Sequence, residues 1–377
     1  MRLTVKVAHS LEALRPEWEQ LERTSFPRTP FTQPRWSSLW LRHFAQQRSS
    51  LNDTLLLLSF RDQEGALRGV APMVVSQRPA FGPLRTRMLQ SLGSDPNVTE
   101  LSGRTSAPEH APAVMTALLQ YLEQHRASWD LVYFSSLRDT EREVLAQSPG
   151  VHWAGERPDF VLELPPTWEA FRAGLGRNIK ESLRKCYNSL KRDGYDFEVK
   201  VRTAPAEMEE ALTQFFRLHA ARASLPGAVE HHDVFAHEHS RRFLRDYVHE
   251  AAAAGEARFF QLVIDGQVVA TRLGFVLDEH LYLYFSGFDP AWRHHSVMTT
   301  TVAEAIRWAI DARLRFVNLS PGRDVSKTRW GPCELTFHAA YLRSHSLRGA
   351  LVHHAYQASR DEHSKLSRLL AFAKRRS

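Results

Sequence analysis

The chain has only two cysteines in 377 residues and no long apolar segment. Two lone cysteines, Cys186 and Cys333, cannot form the disulfide framework that stabilises many small secreted domains. The longest apolar runs, such as Leu55–Leu58 and Leu281–Phe285, are far shorter than the ~20 residues that a membrane-spanning helix needs. The first residues alternate polar and apolar side chains and lack the apolar core of a signal peptide. We therefore expect a cytoplasmic protein without a membrane span.

Several common motifs are also missing. The sequence contains no Walker loop, no glycine-rich dinucleotide fingerprint and no G-x-S-x-G nucleophile elbow. These absences argue against a nucleoside triphosphatase, a dehydrogenase and an α/β-hydrolase. Histidines crowd residues 231–239, but their spacing matches no closed metal site. We interpret this stretch as a loop without a metal, and metal binding there stays open.

What the sequence does contain is typical of a globular protein. Hydrophobic residues make up 43% and charged residues 24%, and the length fits two domains of ordinary size. The net charge of +7 is modest, but basic residues concentrate in two clusters, 177–192 and 365–376. Each cluster either meets a phosphate-bearing or acidic partner or forms a solvated helix face.

Strand and helix patterns occur in a similar order twice along the chain. In the first part, residues 54–60 and 69–77 predict a hairpin. In the second part, residues 171–192 predict one long basic helix. A second hairpin is predicted at 258–264 and 268–277, because Asp-Gly between apolar strands favours a tight turn. These patterns indicate two related domains.

We therefore predict an α/β (α+β) fold built from two tandem domains. The predicted domains are residues 1–155 and 156–345, followed by a basic helical tail at 346–377. Each domain is expected to hold a mixed, mostly antiparallel sheet flanked by helices.

The first candidate site lies between a buried strand and the helix that follows it. Ser296 is predicted to cap the helix, with Thr299 and Thr300 in its first turn. Free N–H groups and the helix dipole favour an anion at such a start. Arg293 and His294 add charge and donors immediately before it. We predict that these five residues bind a phosphorylated cofactor; the alternative is an ordinary capped helix.

The second candidate site is a polar loop after a later buried strand. Arg323, Lys327 and Arg329 carry charges that suit a phosphate or an oxyanion. Asp324 is placed to hold or deprotonate an amine. We predict catalytic roles for Asp324 and Lys327, and substrate contacts for Arg323, Arg329 and Trp330. A surface cluster of salt bridges, with Trp330 as a packing residue, is the alternative.

Two further candidates share one face of a predicted helix. His219 and Arg222 are three residues apart, so their side chains point the same way. We predict that His219 is catalytic and that Arg222 binds substrate; the alternative is a pair at the edge of the core.

These stretches carry a family resemblance. The run Tyr284-Phe285-Ser286-Gly287-Phe288-Asp289-Pro290 and the segment 318–330 resemble the GNAT acetyltransferases related to the CelD cellulose-biosynthesis proteins. Residues 176–180, 218–222 and 265–270 agree as well. The resemblance covers about residues 30–345 and is specific in the C-terminal part. It implies that Tyr284, Ser286, Arg177 and Lys180 contact substrate.

That family in turn resembles the Fem-type aminoacyl transferases, which contain two GNAT-like domains. The resemblance implies a bacterial N- or O-acyltransferase with no tightly bound cofactor. It takes an acyl group from a phosphorylated carrier, acyl-CoA, and passes it to an amine or hydroxyl in polysaccharide or envelope metabolism. Direct transfer of this kind needs a base and oxyanion donors.

One departure from the family pattern keeps the donor open. The family's pyrophosphate loop contains glycines, whereas residues 293–298 of this chain contain none. This departure favours two alternatives over acetyl-CoA. One is a Fem-like transferase that uses aminoacyl-tRNA or acyl carrier protein, and the other is a catalytically silent binding module. The acceptor and the oligomeric state stay open.

Overall fold

The computed structural model describes residues 1–45, 51–79, 85–94, 98–225 and 232–360. The strands in these ranges are β1 Thr4–Ala8, β2 Asn52–Arg61, β3 Leu67–Pro79, β4 Arg85–Ser91, β5 Thr105–Ser106, β6 Leu131–Leu137, β7 Val151–Glu163, β8 Phe197–Arg202, β9 Ala257–Ile264, β10 Gln267–Leu277, β11 His280–Phe288, β12 Phe316–Asn318 and β13 Cys333–Arg343. The helices are α1 Leu11–Glu22, α2 Pro34–Phe44, α3 Ala111–Gln124, α4 Asp139–Leu145, α5 Trp168–Gly174, α6 Arg177–Arg192, α7 Met208–Ala223, α8 Glu238–Ala253, α9 Val297–Asp311, α10 Val325–Thr328 and α11 Leu347–Arg360.

The described strands form one 13-stranded sheet. Its order is β1-β2-β3-β4-β6-β13-β7-β12-β11-β10-β9-β8, and the short β5 pairs with β3 beside this path. The pairs β4–β6 and β11–β12 are parallel, and the remaining pairs along the path are antiparallel. Helices flank the sheet. The predicted mixed, mostly antiparallel fold is therefore confirmed.

The strand order repeats from each edge of the sheet towards its centre. Strands β1 to β4 form a meander and β4 then runs parallel to β6; strands β8 to β11 form a meander and β11 then runs parallel to β12. We call β1 to β6 with their helices the N-terminal half, and β8 to β12 with theirs the C-terminal half. Between them, β13 pairs with both β6 and β7. The expected boundary after residue 155 lies inside β7, in the middle of the sheet.

Local sequence explains where several elements begin and end. The hairpin of β9 and β10 turns at Asp265 and Gly266, which have φ angles of 48° and 80° as a two-residue turn requires. This prediction is confirmed. The prediction of one long helix over 171–192 is wrong, because Leu175 is extended between Gly174 and Gly176 and separates α5 from α6. Glycine stabilises a helix poorly, so the break falls there.

One aromatic core joins the two halves and sets the position of the site. Phe31 and Trp36 of the N-terminal half pack edge-on against Tyr282 and Tyr284 of β11, respectively. Each large side chain buried in this way contributes roughly 1.5–3 kcal/mol. The indole of Trp36 also donates to the hydroxyl of Thr99 at 3.0 Å. These contacts hold the loop that contains Thr99 against the end of β11.

The tail and the histidine-rich stretch are described in part. The described residues end at Arg360, within α11, so the basic cluster at 365–376 lies outside them, as does His231. Among the described helices, none has both the length and the apolar character to cross a membrane.

Candidate active site where two parallel strands diverge

The candidate site opens where β11 and β12 separate. The two strands pair from His280 with Phe316 to Tyr282 with Asn318, and no further pairs follow among the described residues. Beyond that point a bulge in β11 sets two residues opposite the single Leu273 of β10. Such a bulge removes one residue from the ladder and bends the strand. The strands therefore splay and leave room between them.

A cavity of about 430 Å³ fills this space. It is lined from both halves by Glu100, Arg222, Arg272, Leu283, Tyr284, Phe285, Ser286, Phe288, Met298, Val302, Leu319, Ser320, Pro321, Gly322, Arg323, Asp324, Ser326, Lys327 and Arg329. The lining combines a group of charged side chains with an apolar wall, which is the usual composition of a small-molecule site.

Arg272 bridges the two diverging strands. Its Nη2 donates to the backbone oxygen of Leu283 on β11 at 2.7 Å and lies 3.5 Å from that of Leu319 after β12. Its Nε is buried and has no hydrogen-bond partner among the residues that the structure describes. Burial lowers the pKa of Arg272 to about 10. Arg272 was not among the predicted site residues, although a lone arginine inside the apolar strand β10 was a signal for it.

Glu100 enters the cavity from the N-terminal half. Its Oε2 accepts a hydrogen bond from the hydroxyl of Tyr282 at 2.7 Å. Burial raises the pKa of Glu100, and the nearby charge of Lys327 and the Tyr282 bond only partly oppose this. A carboxylate with a raised pKa is a better base. Glu100 was not among the predicted site residues, because no motif marks the loop that carries it.

Lys327 reaches the cavity from α10, a helix of four residues. Its Nζ donates to the backbone oxygens of Ser320, at 3.1 Å, and Pro321. Burial lowers the pKa of Lys327 to about 8. The ammonium group therefore loses its proton more readily than an exposed lysine does, and it lies close to the charges of Glu100 and Arg272.

Asp324 holds α10 in place. Its Oδ1 accepts from the backbone N–H of Ser326 at 2.6 Å, as a helix-capping side chain does. Burial alone would raise the pKa of Asp324, but the bonds from Ser326 and the charges of Lys327 and Arg222 hold it below its ordinary value. A carboxylate of low pKa is a weak base, so this geometry favours a role in positioning Lys327.

A buried chain of polar groups fixes the loop that follows β12. The Oδ2 of Asp159, on β7, accepts from the Nδ2 of Asn318 at 2.7 Å. The Oδ1 of Asn318 accepts from the N–H of Ser320 at 2.7 Å. Asp159 is completely buried, and burial raises its pKa to about 7. No sequence pattern marked Asp159, which lies only four residues after the expected domain boundary.

Seven predicted site residues line the cavity, namely Arg222, Tyr284, Ser286, Arg323, Asp324, Lys327 and Arg329. Arg222 donates to the hydroxyl of Ser286. Arg329 donates through Nη2 to the hydroxyl of Thr299 at 2.6 Å, which links the second predicted loop to α9. Arg323 lies at the exposed rim and pairs with Glu334.

Two aromatic residues predicted to contact substrate are buried in the core. The ring of Tyr284 packs in the aromatic core, and its hydroxyl donates to the backbone oxygen of Val98. Trp330 is buried in a cluster with Phe160 and Ile306 and is not among the residues that line the cavity. The aromatic side chains therefore support the shape of the site from behind.

His219 lies behind β11 and is not part of the cavity lining. Its Nδ1 is 3.0 Å from the backbone oxygen of Ser286, and its Nε2 is 3.7 Å from Asp233. Burial lowers the pKa of His219, so the neutral ring is favoured. Helix α7 comes this close because Gly287 has no side chain: a Cβ there would lie 2.3 Å from the backbone nitrogen of His219.

The start of α9 differs from the predicted cap. Ser296 occupies the capping position, but its backbone is left-handed with φ of 54°, and its hydroxyl makes no capping bond. The side chains of Thr299 and Thr300 are buried, whereas Arg293 and His294 are exposed. Ser296 thus adopts a conformation that glycine favours. The amide of Thr299 donates to the backbone oxygen of Ser296 at 2.8 Å, and a helix leaves the amides before this one without a partner in its own backbone.

Arg177 and Lys180 are exposed on the first turn of α6. Arg177 pairs with Glu181, and Lys180 donates to the backbone oxygen of Ala173. Helix α6 contacts the start of α9 at Cys186, which lies about 14 Å from Arg177 along the axis of α6. The structure therefore does not bring these two residues to the cavity. In the described part of the chain, no group of three histidine, cysteine or acidic side chains is arranged to hold a metal.

The comparisons with known proteins agree with this architecture. Residues 177–330 match the family model described as the acetyltransferase (GNAT) domain. No curated protein matches the chain. Among solved structures, FemX is 10% identical with a TM-score of 0.57, and the match covers 90% of this chain and 97% of FemX.

Two bacterial structures are similar to the same extent. The C-terminal domain of a provisionally assigned lysylphosphatidylglycerol synthetase from Agrobacterium fabrum is 13% identical with a TM-score of 0.52, over 93% of this chain and 98% of that domain. A protein of unknown function from Bacteroides thetaiotaomicron is 11% identical with a TM-score of 0.52, over 90% and 100% of the two chains. Identities this low show a shared fold alone. Residues 177–330 therefore match the GNAT acetyltransferase domain family, and 90–93% of the chain shares its fold with these structures.

Proposed function

We propose that this protein is an acyltransferase whose reaction takes place in the cavity between β11 and β12. It moves an acyl or aminoacyl group from the thioester or ester of a phosphorylated carrier directly to an amine or hydroxyl. One observation carries the proposal: the cavity holds a carboxylate of raised pKa, Glu100, together with the cations Arg272 and Lys327. A base beside positive groups suits attack on a carbonyl.

Glu100 acts as the general base in this reaction. The acceptor nitrogen or oxygen attacks the acyl carbonyl carbon while the Glu100 carboxylate takes its proton. A new C–N or C–O bond forms, and the C–S or C–O bond to the carrier then breaks. The proton passes to the leaving sulfur or oxygen. The Tyr282 hydroxyl holds Glu100 in place through its hydrogen bond.

Lys327 and Arg272 stabilise the negative charge that develops on the carbonyl oxygen. Both line the cavity, and a positive charge in a partly water-excluded site is far more effective than the same charge in water. The bulge in β11 adds backbone groups that the sheet ladder does not use. Asp324 supports this step indirectly, because it caps the short helix that carries Lys327.

Acyl-CoA is the donor that we propose first. The backbone of Ser296 is left-handed, a conformation that glycine adopts readily and that the glycines of the family's pyrophosphate loop allow. The first amides of α9 follow directly after it. Helix starts of this kind bind phosphate groups, and the exposed Arg293 adds charge. Met298 and Val302 give the cavity an apolar wall for the acyl chain. A role of the CelD type, in bacterial polysaccharide or envelope metabolism, is part of this proposal.

A Fem-like donor is the second candidate, because of the exposed basic face of α6. Arg184, Lys185 and Lys191 are exposed there and have no acidic partner among the residues that the structure describes. Such a face suits a polyanionic carrier, aminoacyl-tRNA or acyl carrier protein. Salt-insensitive binding of these carriers would contradict this candidate.

The decisive experiment combines a donor panel with one substitution. Release of free carrier is measured with acetyl-CoA, longer acyl-CoAs, acyl carrier protein and aminoacyl-tRNA, each with amine and hydroxyl acceptors. For the donor that turns over, we expect Glu100→Gln to lower kcat/KM at least ~100-fold, because the general base is lost. Glu123→Gln, on the exposed face of α3, is the control and should have no effect.

Two outcomes would contradict the proposal. Unchanged turnover in Glu100→Gln would remove Glu100 as the base. No turnover with any donor, although donors raise the melting temperature, would indicate a binding module instead of an enzyme.

A further inference from the structure

The cavity contains more positive charge than the transfer reaction uses. The cations in its lining are Arg323, which pairs with Glu334 at the rim, Arg222, which bonds to the hydroxyl of Ser286, and Arg272, Lys327 and Arg329. The carboxylates in the lining are Glu100 and Asp324, and Asp324 is engaged as a helix cap. In the proposed reaction Lys327 and Arg272 share one developing oxyanion, and Arg329 has no role in it, so positive charge remains.

Three of these cations are bonded to uncharged oxygens. Arg272 donates to the backbone of Leu283, Lys327 to the backbone of Ser320, and Arg329 to the hydroxyl of Thr299. None of the three has a carboxylate oxygen within the 4.0 Å ion-pair distance among the described residues. Cations removed from water are normally paired, because an unpaired charge is costly to bury.

Unused donors point in the same direction. In the described part of the chain, the Nε atoms of Arg272 and Arg329 are both buried without a hydrogen-bond partner. A carboxylate accepts several such bonds at once and also supplies the missing negative charge. Burial also lowers the pKa of both Lys327 and Arg272, as expected for cations without an adequate partner.

We infer that the cavity binds a small substrate through a free carboxylate that the substrate itself carries. The carboxylate belongs either to the acyl group, as in a dicarboxylic acid monothioester, or to an amino-acid acceptor. Leu283, Met298 and Val302 provide the apolar wall for a short hydrocarbon chain beside it. This inference rests on the proposed function, since it identifies the class of substrate used at the same site.

Matched pairs of small molecules test this inference without a carrier. The first pair is the succinyl and butyryl thioesters of N-acetylcysteamine, and the second is L-alanine and L-alaninamide. Binding is measured by calorimetry with the full-length protein. In one pair the carboxylate member should bind about 10- to 100-fold more tightly, the range expected for charge-assisted hydrogen bonds. The pair that shows the preference identifies which substrate carries the carboxylate.

Lys327→Met sharpens the test. It should abolish the preference for the carboxylate member and raise the melting temperature of the ligand-free protein by a few degrees, because it removes an unpaired cation from the cavity. Arg184→Met is the matched control, since Arg184 is an exposed cation on α6. It should change neither quantity. Arg329→Met provides a second cavity variant in case Lys327→Met does not fold.

Equal affinity within both pairs would overturn the inference, and so would the absence of binding by all four compounds at millimolar concentration. Retention of the preference in the folded cavity variants would overturn it as well. These results are separable from a failure of the proposed function. If neutral substrates turn over and still require Glu100, the transferase proposal stands while the carboxylate inference fails.

Discussion

The two halves of the molecule share a strand order, but a buried ion pair in one half contrasts with the unpaired cations of the cavity in the other. In the N-terminal half, Arg104 and Glu141 are 2% and 4% exposed and bonded to each other at 2.8 Å. In the C-terminal half, Arg272 and Lys327 have no acidic partner within ion-pair distance among the described residues. Paired charges stabilise a fold or are neutral to it, whereas unpaired charges carry a cost that is tolerated mainly at functional sites.

The same contrast appears where the parallel strands end. Beside β4 and β6, the hydroxyls of Ser94, Ser102 and Ser135 bond to one another, with Ser102 and Ser135 only 2.6 Å apart. The lining of this cleft also includes the acids Glu100 and Glu156, and Arg157 is its one cation. Beside β11 and β12, the corresponding cavity is lined with five cations. The shared architecture thus provides two similar clefts, and the side chains alone decide which of them has the chemistry of an active site.

The largest difference in stability that we expect is between substitutions of two completely buried aspartates, Asp130 before β6 and Asp159 on β7. Asp130 lies 2.8 Å from Arg87 and 2.9 Å from Arg348. Asp130→Asn should lower the free energy of unfolding at pH 7 by about 3 kcal/mol, the low end for a broken buried pair, because both arginines keep contact with water. Asp159→Asn should not, because Asp159 has no cationic partner in direct contact among the described residues. Urea denaturation measures both.

The difference in stability between variant and wild type should change with pH in opposite directions for Asp130→Asn and Asp159→Asn. Burial alone would raise the pKa of Asp130, but the bonds from Arg87 hold this pKa below its ordinary value of 3.8. The stabilisation that Asp130 provides is therefore present at neutral pH and is lost in acid. The pKa of Asp159 is raised from 3.8 to about 7, so its contribution is complete below pH 3.8 and is lost as the pH rises through 7. Asp159→Asn should therefore be more stable than wild type at pH 8 and similar to it near pH 4. Parallel curves for the two variants would break the comparison.

A smaller difference is expected between two glycines that let helices pack on the sheet. At Gly287 a Cβ would lie 2.3 Å from the backbone nitrogen of His219, whereas at Gly69 it would lie 2.6 Å from the side chain of Val114. A side chain can rotate away, but the backbone of α7 cannot. We expect Gly287→Ala to lower the free energy of unfolding by about 2 kcal/mol and Gly69→Ala by about 1 kcal/mol. Equal losses would show that α7 adapts as easily as Val114.

The sequence predicts the local elements of this fold well, because hydrophobic periodicity and turn chemistry are local. Asp265 and Gly266 identify their hairpin, and the helix after Ser296 begins within one residue of its predicted start. The sequence did not reveal the first part of the central strand β7, and the expected domain boundary after residue 155 falls inside it. Its first residues are mostly exposed and include Gly155, so they do not show the alternation of a half-buried strand.

The candidate site was predictable only where its residues share a loop. Lys327, Asp324 and Arg329 are close in sequence, and the structure brings them to one cavity. Glu100 also lines this cavity, although it lies 182 residues before its partner Tyr282 in the sequence. Arg272 reaches the cavity from β10, the strand next to β11. Such contacts depend on how the sheet folds together, and no spacing within the sequence encodes them.

The smallest predicted effect concerns the junction before α9. Ser296 has φ of 54°, a conformation that costs a residue with a side chain about 1–2 kcal/mol. Glycine avoids this cost but loses roughly 0.5–1 kcal/mol of backbone entropy, so Ser296→Gly should raise the free energy of unfolding by less than about 1 kcal/mol. Ser182→Gly, within α6, is the control and should destabilise the protein, because glycine weakens a helix interior. The N-terminal half already has glycine in a left-handed conformation after β4, at Gly93. A loss of stability in Ser296→Gly would contradict this prediction. It would show that the serine side chain stabilises the junction although it makes no capping bond.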